Sequence, residues 1–213
     1  MPEFRTEPLI VPVDSGLLPA GERDRRVALT SFRSEPAQRV QIPMREVVCY
    51  ECGKTSQVPA AALSASCIHC HSHLNMADME VRPGTRRLTI RTLGNVRVPS
   101  STRLSNLSVV CHDMLVQGRV SGSFRCSGVL TLSSSTRIEG SISASRLVVE
   151  KGVEVELSVG AAAESAEIHG SLKGRLQCKG LLHVHRGGSY EGVCKAADVQ
   201  VDPGGHFDDK SPF

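Results

Sequence analysis

A side-chain pattern that returns every 17 or 18 residues constrains this chain more than any other feature. "VSGSFRC" begins at Val120, "IEGSISA" at Ile138, "VELSVGA" at Val155, "LKGRLQC" at Leu172 and "YEGVCKA" at Tyr190, at intervals of 18, 17, 17 and 18 residues. Four copies have glycine in third place, and Leu157 fills it in the other. The seventh place is always small: Cys126, Ala144, Ala161, Cys178, Ala196. A second apolar column, Leu132, Val149, Ala166, Val184 and Val201, lies six residues before each next start, and six beyond Val201 stands Phe207, where a sixth copy would begin. This period predicts a mainly β protein whose repeats are the coils of a parallel β-helix with three short sides, stacked at the inter-strand spacing of ~4.8 Å. An antiparallel sandwich does not repeat side-chain size in register.

Inside one copy, "RIEGSISASRL" (137–147) alternates apolar and polar residues like a strand with one buried face, with Gly140 on the inward side. Glycine weakens a strand interior, so these glycines mark a tight corner or a close approach of neighbouring backbones. A narrow coil interior also suits an aromatic content of only 3%.

The eight cysteines fall into two groups. Cys126, Cys178 and Cys194 lie on inward columns, where a free thiol behaves as a small hydrophobe; Cys111 lies just before them. Cys49, Cys52, Cys67 and Cys70 form C-x2-C-x14-C-x2-C. Each pair sits on a tight knuckle, with Gly53 suited to the first turn, and two opposed knuckles supply four thiolates for one Zn²⁺. Such a site is closed, so the metal is structural and carries much of the small module's folding energy. His69, His71 and His73 crowd the second pair and are read as exposed polar residues. "CIHCH" (67–71) also matches the c-type haem attachment pattern, which leaves Cys49 and Cys52 unexplained and needs export.

The chain divides accordingly. Residues 1–45 hold six prolines and mixed charge without periodicity and read as a disordered tail. The apolar segment "PLIVPVDSGLLP" (8–19) within it is the one candidate for contact with a membrane surface or a docking partner. Residues 46–81 are the zinc-ribbon-like module. Residues 82–97 are a basic linker with Arg82, Arg86, Arg87, Arg91 and Arg97 and no acid. The β-helix runs over 98–207, and 208–213 is a short tail. The region 99–213 is charge-balanced, so the net charge of +3 reflects an excess further upstream. No apolar run approaches the ~20 residues of a membrane span, and no secretory signal opens the chain, so a cytoplasmic location is expected.

No phosphate-binding loop of either common type occurs, so no nucleotide partner is expected. His183 and His185 flank Val184 with the same parity and are expected outside the coil, solvated. No catalytic residue or catalytic set emerges from the spacing.

The units "VQGRVSGSFRCSGVLTL", "IEGSISASRLVVEKG" and "LKGRLQCKGLLHV" resemble those of the bactofilins, a family of bacterial cytoskeletal proteins. The resemblance covers about 98–207. It implies a right-handed parallel β-helix, nucleotide-independent assembly into homopolymeric filaments, and scaffolding of other proteins, often at membranes. The cysteine module departs from the simplest family members and suggests that the ribbon recruits an unknown protein.

The expected function is therefore a non-enzymatic, self-assembling scaffold, with Phe207 as an assembly contact at an uncapped coil end. Two other classes compete. Hexapeptide-repeat acyltransferases have 18-residue coils but a stricter six-residue spacing. A nucleic-acid-binding module would use the ribbon and the five linker arginines, although only Tyr50 supplies an aromatic there.

Overall fold

A computed structural model describes residues 42–84 and 89–211, and every regular element among them is a strand. Two antiparallel hairpins come first. Met44–Val48 pairs with Thr55–Pro59, and Ser64–Ser66 pairs with His73–Asn75. From Met79 onward all pairing is parallel, and the chain winds as a β-solenoid of about seven turns.

One column shows the winding: Val98, Val116, Leu132, Val149, Ile168, Val184 and Val201 stand in register, one per coil. A second column on the same sheet joins Ile90, Val109, Phe124, Ile142, Ala161, Leu176 and Cys194. Long strands such as Ser141–Val149 and Gly160–Ile168 bend across two sides and carry both columns. The third side is a separate five-stranded sheet running from Thr136–Ile138 to His206–Asp209. The inward residues of all three sides form one continuous apolar core, and alternate residues face out.

The structure corrects several expectations. Residues 137–147 are not one strand: Thr136–Ile138 ends on the third side, and Ser141–Val149 begins on the first. Glu139 and Gly140 make the corner between them. A Cβ on Gly140 would overlap the carbonyl of Gly122 one coil below. A Cβ on Gly122, itself at φ +151°, would overlap the carbonyl of Leu107. The glycines thus allow corner backbones of successive coils to touch.

The copy starting at Val155 stands two residues out of the register expected from its sequence. Ile138 pairs with Leu157, not Val155; Ala163, not Ala161, stands opposite Ala144; and Ile168, not Ala166, stands opposite Val149. The cause is an uneven coil length. Along the column from Ile90 to Cys194 successive residues are 19, 15, 18, 19, 15 and 18 apart.

Boundaries move as well. Met79–Glu80, Thr89–Arg91 and Val96–Val98 already pair into the solenoid, so much of the expected linker is its first coil. The first hairpin starts at Met44, and Asp208 and Asp209 belong to the last strand rather than to a tail. The 8–19 segment and most of the expected 1–45 tail lie outside the described residues.

Candidate functional site

The four module cysteines meet between two matching turns. In the first, the Cys49 N–H donates to the Lys54 carbonyl, the Gly53 N–H donates to the Cys49 carbonyl at 2.9 Å, and Gly53 has φ +70°. In the second, the Cys67 N–H donates to the Ser72 carbonyl, the His71 N–H donates to the Cys67 carbonyl at 2.9 Å, and His71 has φ +60°. Each turn aims both of its sulfurs at one point. The four Sγ atoms lie within 4.8 Å of one another. Cys49 and Cys70 sulfurs are 3.7 Å apart, as are those of Cys52 and Cys67.

The electrostatics favour charge on part of this set. Backbone N–H groups of Cys70 and His69 hold Cys67 down at about 6, and the hydroxyl and backbone of Ser72 lower Cys70. At Cys52 a backbone hydrogen bond with Lys54 lowers the thiol, but desolvation and the three neighbouring sulfurs outweigh it and push the group up to about 11. Four thiols this close cannot all ionise without a cation between them. No histidine joins the sulfur group: the His69 ring contacts the Thr55 carbonyl, and His71 and His73 are exposed.

The module leans on the first coil. Leu93 packs against Cys49, Cys67 and Leu74, and Tyr50 Oη donates to the His73 carbonyl at 2.6 Å. The fully buried Thr92 donates its hydroxyl to the Ala77 carbonyl at 2.7 Å. A cleft of about 830 Å³ opens between hairpin and solenoid, lined by Arg45, Val47, Tyr50, His112 and Arg125 among others.

Two of the three described linker arginines are engaged within the chain. Arg91 pairs with Glu51 of the module, and Arg97 donates to Gln117 Oε1 on the next coil. Arg82 is exposed, and Arg86 and Arg87 lie outside the described residues.

The far end of the solenoid is open among the described residues. Phe207 pairs with Tyr190 in register, their rings stacked at 5.5 Å, and its strand is the edge of the third-side sheet. On the other sheet Val199 and Val201 continue the inward columns yet are 38% and 41% exposed, because no further coil covers them. At the opposite end Val96 and Val98 are buried, and the chain from Met79 to Val81 lies along their strand, the Met79 and Val81 N–H groups donating to the Asn95 and Arg97 carbonyls.

Residues 74–159 match the family model of the bactofilins, described as polymer-forming cytoskeletal. The match takes in about two fifths of the chain, from the last strand of the cysteine module into the middle coils. That family is structural rather than enzymatic. No curated protein and no solved structure matches the chain. No described helix is long and apolar enough to cross a membrane.

Proposed function

We propose that this protein is a non-enzymatic, cytoplasmic cytoskeletal scaffold whose solenoids associate end to end into filaments without nucleotide. The observation that carries the reading is the open last coil. Val199, Val201 and Phe207 extend the core columns to an end where, among the described residues, no further coil covers them. An unpaired parallel edge with an apolar face is a template for another chain. Phe207 is already half-buried on Tyr190 and the core, so covering the rest of its ring with a second subunit contributes only part of the roughly 1.5–3 kcal/mol of full burial. The polymer-forming family matched at 74–159 supports the same reading.

The cysteine module is proposed as a zinc-held recruitment element. A tetrahedron with Zn–S bonds of ~2.3 Å places sulfurs ~3.8 Å apart, close to the 3.7 Å of both measured pairs. The cleft beside Tyr50 is the recess available to a recruited protein. With Arg91 and Arg97 engaged inside the chain, a nucleic-acid role has less support.

The test is electron microscopy and sedimentation of purified protein with no nucleotide added, beside Phe207→Arg. Filaments from the wild type and a folded, non-filamentous variant with unchanged circular dichroism are expected. Normal filaments from the variant would sink the assignment of Phe207, and a wild type that polymerises only with ATP or GTP would sink the nucleotide-independent mechanism.

A further inference from the structure

A second cluster of metal-ligating side chains lies far along the chain from the cysteines, on the outer surface of the last three coils. Each comes from an equivalent place in its coil. His169 follows Ile168, His185 follows Val184 and Asp202 follows Val201, three residues that stand in one column. Their backbones form a ladder: the His185 N–H donates to the Ile168 carbonyl and the Asp202 N–H to the Val184 carbonyl, both at 2.9 Å. Two residues earlier, His183 stands in register with Glu167. Coil stacking therefore brings together groups that the sequence keeps 14 to 19 residues apart, such as His169 with His183 and His183 with Asp202. The parity reading holds for His183 and His185, which point out of the core, but they are not freely solvated.

The geometry is that of a ligand set. His183 Nε2 lies 2.9 Å from Asp202 Oδ1, and His185 Nδ1 lies 3.2 Å from Asp202 Oδ2. The ligand atoms of His183, His185 and Asp202 all fall within 4.8 Å of one another. Ligands ~2.0–2.1 Å from one ion, at angles between square and tetrahedral, are ~2.8–3.4 Å apart; each contact falls in that range, His183 on one Asp202 oxygen and His185 on the other. The side chains are only 20% to 31% exposed, so packing limits their rotamers. His185 is also stacked on His169 at 3.9 Å, with the rings 4° from parallel. Glu167, His169 and His185 form an adjoining triad through the shared ring.

We propose that His183, His185 and Asp202 bind one divalent first-row transition ion, Zn²⁺ or a neighbour of similar softness, independently of the cysteine centre. Imidazole and carboxylate suit such an ion, whereas four thiolates make a softer, closed site. Three protein ligands leave a coordination position for water. Since His183 lies in strand Leu181–Val184, His185 directly follows that strand and Asp202 directly follows the neighbouring strand Asp198–Val201, the ion clips the last coil to the one before it. Metal binding here stiffens the same end that presents Val199, Val201 and Phe207.

The experiment is equilibrium dialysis of the full-length chain against micromolar Zn²⁺, with metal counted per chain before and after a brief wash with a weak chelator. Beside the wild type run His185→Ala and His183→Gln, each checked for unchanged circular dichroism. The wild type should hold one ion more than either variant, and amides of Asp198–Val201 should exchange more slowly with metal in the wild type only. Substituting Co²⁺ distinguishes the sites: the extra ion should give weak visible bands without the near-ultraviolet thiolate charge transfer. Equal metal counts in wild type and folded variants overturn the proposal, as does a second wild-type ion taken up only at millimolar Zn²⁺. Failure of the cysteine centre would instead remove the charge-transfer band and leave the difference between wild type and variants intact.

Discussion

His71 stands where Gly53 stands in the partner turn, in the same left-handed backbone region and with the same return hydrogen bond. An L side chain there carries a cost of roughly 1–2 kcal/mol, which glycine escapes while losing somewhat more chain entropy on folding. His71→Gly should therefore stabilise the module by about 1 kcal/mol, read as a higher midpoint in chelator- or heat-induced unfolding of the hairpins. A loss of metal on this substitution would instead make His71 a ligand, against its exposed position. Gly122 and Gly140 lie at the other extreme, since any Cβ there meets backbone and not a yielding side chain. Gly140→Val should separate two coils and abolish two-state unfolding of the solenoid, as followed by circular dichroism. The repeating glycine signalled this contact in the sequence. What it could not signal was whether the glycine sat within a strand or between two, because alternation continues across a corner when both flanking strands bury the same parity.

At the level of single elements, the last strand is held by its edge pairing, by Phe207 stacked on Tyr190 and, at the surface, by charge. Glu191 on the preceding coil receives Lys210 and also contacts Lys173 at 3.2 Å. The Lys210 ammonium foremost, with Lys173, holds the Glu191 carboxyl below its ordinary value, and Glu191 in turn raises Lys210. The backbone N–H of Cys194 likewise lowers Asp209. Depressed carboxyls contribute stability that is fully present above the ordinary carboxylate range, near pH 4, and is lost as pH falls through their lower folded values. Raised Lys210 contributes below about pH 10 and loses that contribution as pH rises through its folded value. The strand His206–Asp209 should accordingly fray before the rest of the solenoid when acidified below pH 4; in Glu191→Gln, where the lysines lack their partner already at neutral pH, part of that fraying should be present at pH 7 and acidification should add less to it. Hydrogen exchange corrected for intrinsic rates would show it; uniform exchange along all coils would contradict it. The two cysteine hairpins are the other separable element. Cys52→Ser should release zinc and unfold Met44–Asn75 while leaving the far-ultraviolet signature of the later coils, which have their own core. The thiolate spacing was readable in the sequence because a knuckle is local. The His183, His185 and Asp202 grouping was not, because it depends on which residues of different coils share a corner.

Across the whole molecule, the uneven coils have an order that the short repeat conceals. The spacings of 19, 15 and 18 residues occur twice, so the larger unit is three coils and 52 residues. The sequence carries it: Cys126 and Cys178, Gly128 and Gly180, Leu130 and Leu182, and Gly140 and Gly192 are identical pairs at that distance. The single-coil period does not reveal it at 155–168, where Ala161, Ala162, Ala163 and Ala166 offer no contrast in size to fix the register. Corners must stack on corners for the glycine contacts and the inter-coil hydrogen bonds to form, so a coil is compatible only with neighbours whose corners fall at the right places. Removing residues 126–177 takes out one whole three-coil unit and joins Arg125 to Cys178, restoring the Phe-Arg-Cys order of the original strand. In a solenoid, stability is a sum of coil and interface contributions, so this deletion should yield a shorter but cooperative fold with the same β signature and a modestly lower melting temperature. Removing 126–160 instead joins Arg125 to Ala161 and sets a coil of one type where another belongs. That chain should lose cooperativity or aggregate. Two equally well folded products, judged by calorimetry and hydrogen exchange, would show that corner position is permissive and that the three-coil unit has no energetic meaning.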